Sequence, residues 1–119
     1  MKYEEIPRLT TAQVELAISR NQPDELLVAV LSAALYADDR RWAEDVCVRL
    51  ASHEDPDVRG KAVLGFGHIA RINGTLSEGR VKPLIERALR DENSYVRGQA
   101  ESAADDVELF LRWSINRVQ

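Results

Sequence analysis

Apolar residues recur at helical spacing along most of the chain, and polar punctuation divides the pattern into six stretches. Val14, Ala17 and Ile18 form the stripe of a first helix, opened at Thr10 by a Thr-x-x-Gln capping box with Gln13. Asn21-Gln22-Pro23 breaks it, and Pro23 suits the first position of a second helix reaching Tyr36. That helix is apolar nearly all round, as expected of one flanked on several sides, and its polar file is Glu25, Ser32 and Tyr36. Asp38-Asp39 caps a third helix over about 40–52, with Ala43, Val46, Cys47 and Leu50 inward and Trp42 at the edge. Asp55-Pro56 opens a fourth, stopped after Ile72 by Asn73-Gly74. Thr75-x-x-Glu78 predicts a capping box for a fifth helix, with Val81, Leu84, Ile85, Ala88 and Leu89 inward. Asn93 or Ser94 caps a sixth, whose core positions are Val96, Ala100, Ala103, Val107 and Phe110.

Within this pattern one phrase repeats. Val58-Arg59-Gly60-Lys61-Ala62 returns as Val96-Arg97-Gly98-Gln99-Ala100, an offset of 38 residues, and Arg49 and Glu54 match Arg87 and Glu92. Such a period marks a helical repeat, in which a helix pair buries its apolar face only by stacking on its neighbours. The expected organisation is all-α: about six helices in three antiparallel hairpins within one domain, 1–119. The hairpins span about 10–36, 40–72 and 77–112, with a cap at 113–119 in which Trp113 and Ile115 cover the last apolar face.

Charge and composition narrow the function. The net charge is −4, with seven basic and twelve acidic residues in 1–60 against nine and eight in 61–119. That balance argues against nonspecific nucleic-acid binding, which needs clustered Lys and Arg, and favours a basic partner. No apolar run is long enough to cross a bilayer, and Met1-Lys2-Tyr3-Glu4-Glu5 leads into no signal-peptide core. A lone Cys47 on an apolar stripe fits a reducing, cytoplasmic setting.

The third hairpin has Pro83, Asp91 eight residues later, then Val96-Arg97. This resembles the HEAT repeat: a proline in the first helix, an aspartate in the turn, and a Val-Arg pair opening the second. The second hairpin keeps Val58-Arg59 but carries Asp45 for the proline and His53 for the aspartate, so the resemblance covers about 40–111. It implies a short right-handed α-solenoid. Arg59 and Arg97 then read as repeat clamps, reaching turn carboxylates such as Asp55 or Asp91 and carbonyls of the adjacent repeat. HEAT-like folds include scaffolds, bilin lyase relatives, alkylpurine-DNA glycosylases and immunity proteins of bacterial toxin systems. By size, fold and charge this chain looks most similar to the immunity proteins, including the contact-dependent growth inhibition type. The alternatives are an adaptor or scaffold, or a nucleic-acid- or bilin-handling protein.

Enzyme chemistry finds little support. His53 and His68 lack companion ligands at i+3 or i+4, Cys47 reads as a core thiol, and Asp38-Asp39 and Asp105-Asp106 point apart along their helices. Gly65-Phe66-Gly67 lacks any phosphate-loop context and reads as a place where a neighbouring helix comes close. No catalytic, metal or cofactor residue is expected. A partner-binding strip is expected instead, on the outward arcs of the second helices. It comprises Asp57, Lys61, Leu64, His68 and Arg71, then Tyr95, Gln99, Ser102, Asp106 and Leu109, and finally Glu25, Ser32 and Tyr36. The expected partner is a protein with a basic surface, such as a toxin domain whose active or substrate-binding face is occluded.

Overall fold

Polar caps set the beginnings of most helices. Thr10 and Gln13 close a reciprocal capping box on α1 (Thr11–Arg20). Pro23 starts α2 (Pro23–Tyr36) at a position where its missing N–H costs nothing. Asp39 accepts the Trp42 N–H at the head of α3 (Arg40–Leu50). Asp55 does the same for Asp57 and Val58 on α4 (Pro56–Asn73), which Gly74 ends with a φ of 71°. Asn93 caps α6 (Ser94–Leu111) through Tyr95 and Val96.

The exception is α5 (Glu78–Ala88), where the expected Thr75–Glu78 box does not form. Ser77 is the cap residue, and its N–H donates across to Glu44 of α3 at 2.8 Å. Glu44 is almost wholly buried and also accepts Arg40 and Arg80 at 3.0 and 3.1 Å. A buried carboxylate persists only when its lone pairs are filled in this way. It ties the start of α5 to the preceding repeat.

The computed structural model describes residues 6–117, and among them there are six helices and no strand. Met1–Glu5 and the last two residues of the expected cap lie outside the described residues. The helices form an all-α helical repeat fold. Helix α4 is its centre, packed against α2, α3, α5 and α6, so that residues 62–70 are buried without a break. Glycine makes this crowding possible. A Cβ on Gly65 would sit 2.6 Å from Cys47 Sγ, and one on Gly60 would sit 2.8 Å from the Tyr95 ring. The close approach expected around Gly65 and Gly67 is present.

The turns repeat as closely as the helices. Arg59 grips Asp91 of the following turn with Nε and Nη2, at 2.8 and 2.9 Å, and its Nη1 donates to the His53 and Glu54 carbonyls. Arg97 likewise donates to the carbonyls of Asp91 and Glu92. The carbonyls are therefore those of each arginine's own hairpin, not of the adjacent repeat, and Asp55 serves as a helix cap rather than an arginine partner. His53 stands where Asp91 stands one repeat later. Its Nδ1 accepts the N–H of Asp55, as Asp91 Oδ1 accepts that of Asn93, and its Nε2 meets Asn21 Oδ1 at 2.7 Å. A neutral imidazole thus takes over the turn-closing task of a carboxylate.

At the far edge α6 packs on α4 and α5 alone. Phe110, expected in the core, is 43% exposed, and Ala104 is buried instead. Ile115 is buried against the end of the array and Trp113 packs partly over it, as the expected covering of that face requires.

Candidate partner-binding face

The second helix of each pair, α2, α4 and α6, supplies the polar and aromatic residues that the sequence marks as a strip. Tyr95 of α6 lies over Gly60, with the Lys61 ammonium 5.7 Å from its ring centroid. Gln99 is half-buried beside it, its Oε1 enclosed and without a hydrogen-bond partner among the described residues. Two turns on, Asp106 rests against Gly67, and burial raises its carboxyl pKa despite the nearby Arg71. Arg71 donates from Nη2 to His68 Nδ1 at 2.9 Å. That nitrogen accepts, so the neutral ring carries its proton on Nε2. Burial first, and then Arg71 and Lys61, push the His68 pKa down to about 4. Asp57, Arg71 and Ser102 are exposed, as is Leu109 at 71%. This is a mixed surface: two cations, two acids, an aromatic face and one bare leucine.

Three of the expected strip residues do not face solvent. Leu64 and His68 are 8% and 5% exposed, because the middle of α4, residues 62–70, is enclosed by its neighbours. Ser32 is 1% exposed, because the segment before α1 crosses α2 and the Leu9 N–H donates to its hydroxyl at 2.8 Å. The same segment places the Arg8 guanidinium 4.8 Å over the Tyr36 ring. Glu25 pairs with Arg20 at the opposite end of α2, where both are well exposed. The accessible strip is therefore concentrated on α4 and α6, with Tyr36 at its margin.

Metal-ligating side chains do not gather among the described residues, where no three His, Cys, Asp or Glu are grouped to hold an ion. Burial pushes the Cys47 thiol up to about 12, which leaves it protonated and unreactive at neutral pH. Sequence reasoning missed Glu44. Its one available signal was an i, i+4 arginine at Arg40, a pair common on exposed helix faces as well.

The HEAT repeats family profile matches residues 12–105, most of the chain. This chain belongs to the HEAT-repeat family. The Asp91–Arg59 pair and the Val-Arg openings of α4 and α6 are the parts of the fold through which the family pattern shows. Among solved structures, this HEAT-repeat chain is similar to one in the crystal structure of a CDI complex from Cupriavidus taiwanensis LMG 19424. The two share 28% identity at a TM-score of 0.80, over 92% of this chain and 97% of that one. No curated protein sequence matches it. No helix among the described residues is long and apolar enough to cross a membrane.

Proposed function

We propose that this HEAT-repeat chain is a cytoplasmic bacterial immunity protein of the contact-dependent growth inhibition type. It binds a cognate toxin domain one to one and performs no reaction. The observation that carries this reading is the near full-length likeness to a chain of a CDI complex, at 28% identity and a TM-score of 0.80. A HEAT array is suited to the role, because stacked helix pairs offer a broad, rigid face.

The binding surface in this reading is the α4–α6 ridge with Tyr36 at its edge: Asp57, Lys61, Arg71, Tyr95, Gln99 and Asp106. Tyrosine and arginine are enriched among residues that dominate interface energies, and both are present on this ridge. Acidic groups steer a basic toxin surface into place, and the aromatic contacts then slow its release. The bound protein would cover the toxin's active or substrate-binding face.

Co-expression with the toxin domain encoded by the neighbouring open reading frame tests the assignment. A stoichiometric complex on size exclusion, together with restored growth, is the expected result. Unrelieved toxicity with no complex would overturn it.

A further inference from the structure

The two ends of the array are finished differently. At the C-terminal end, residues 113–117 fold back over the last helix pair. Ile115 is buried, the Asn116 N–H donates to Glu86 of α5 at 2.8 Å, and Arg117 pairs with Glu101 and Asp105 of α6. At the N-terminal end α1 packs on α2, and no other described helix covers the outer side of that pair. A groove of about 440 Å³ is left there. Leu9, Ala17 and Val28 line it, and Leu16 projects from its α1 wall, 53% exposed. A lone exposed leucine is ordinary, whereas one beside an open apolar groove marks a contact surface.

The charges of the two walls indicate what fits. Arg20 lies at the end of α1, and Asp24 and Glu25 lie at the start of α2, all three lining the groove. Within one chain Arg20 pairs with Glu25 at 3.1 Å, with side chains 58% and 41% exposed. One wall is thus cationic and the other acidic at the same height along the groove. A half-turn about the groove's long axis exchanges the walls, so this surface is complementary to itself. In that arrangement α1 of each copy lies over α2 of the other, Leu16 meets Val28, and Arg20 meets Asp24 and Glu25. Head-to-tail stacking would need the opposite terminal face, which residues 113–117 already cover.

We propose that the outer face of the α1–α2 pair is a homodimer interface, in which two copies related by a two-fold axis close each other's open end. Terminal units of a helical array need such closure, and here a second copy supplies it. The contact shares no residue with the α4–α6 ridge, so each copy keeps that ridge for its own partner. An interface of one groove per copy belongs to the small, reversible class, and dilution dissociates it.

Sedimentation of the whole chain over a dilution series tests this. The weight-average mass should rise from 13.4 kDa toward twice that value with concentration. Leu16→Glu should weaken association by about tenfold or more, because it sets a charge in the apolar groove, and its helical spectrum should be unchanged. Arg20→Glu should weaken association too, as should Asp24→Lys combined with Glu25→Lys. Mixing these two charge variants should restore it, since each offers the charge that the other lacks. A chain that stays at 13.4 kDa up to about 1 mM would leave the groove to some other molecule and overturn the proposal. Association that survives Leu16→Glu, or a mixture that associates no better than its components, would overturn it as well.

Discussion

Arg59 shows how a single side chain can couple two repeats. Its guanidinium lies flat against Asp91, with both groups more than four-fifths shielded, while Nη1 fills carbonyls of its own turn. Arg59 first, with further help from the Asn93 N–H, holds the Asp91 carboxyl below the usual aspartate range. A carboxyl depressed in the folded state stabilises at neutral pH, and that contribution is lost as pH falls below the ordinary aspartate range. Arg59→Ala is expected to cost about 2–3 kcal/mol in urea unfolding, since it strands a shielded carboxylate, and Arg59→Lys should recover little of it. His68 is a depressed histidine, so the sign is worked from the unfolded side. The unfolded ring titrates near 6.5 and the folded one near 4. Between these values the unfolded chain binds the extra proton, so stability falls as the solution is acidified, by on the order of 2 kcal/mol at pH 5. Below about 4 the loss stops growing. His68→Gln should therefore lose less stability than the unmodified chain between pH 7 and pH 5, with each measured from its own urea midpoint.

Among the helices, α4 sets the packing and glycine sets how tightly. Two substitutions of the same kind have opposite expected signs. Gly98 faces open space, so Gly98→Ala should raise stability by about 1 kcal/mol through helix propensity alone. Gly65→Ala gains the same propensity but drives a methyl into Cys47, and should lower stability by about 1–3 kcal/mol. Thermal unfolding of the two variants side by side checks both. Helix limits were legible in the sequence because caps are local: Thr10, Pro23, Asp55, Gly74 and Asn93 act within a few residues of themselves. What could not be read is whatever comes from another element. The Thr75 box lost to Glu44, which approaches from the previous repeat. A helical wheel places Leu64 and His68 outward because it assumes one solvent arc, whereas neighbouring helices enclose the middle of α4, residues 62–70. Ser32 was hidden by a segment more than twenty residues upstream.

For the molecule as a whole, the 38-residue repeat marks a helical array and the Pro83, Asp91 and Val96-Arg97 spacing marks the family, whose profile covers residues 12–105. The face to be used is a finer question, because a HEAT array has two broad sides and two ends. The α4–α6 ridge combines exposed charge with a tyrosine face, whereas the α3–α5 side is occupied by its own arginine–carboxylate network. Isothermal titration of the toxin domain proposed as partner, with the unmodified chain and with Asp57→Lys combined with Tyr95→Ala, tests that choice most directly. A one-to-one complex that the double substitution weakens by about thirtyfold or more is the expected result, with an unchanged helical spectrum. Equal affinity for both proteins would contradict it and move the interface to another face of the array.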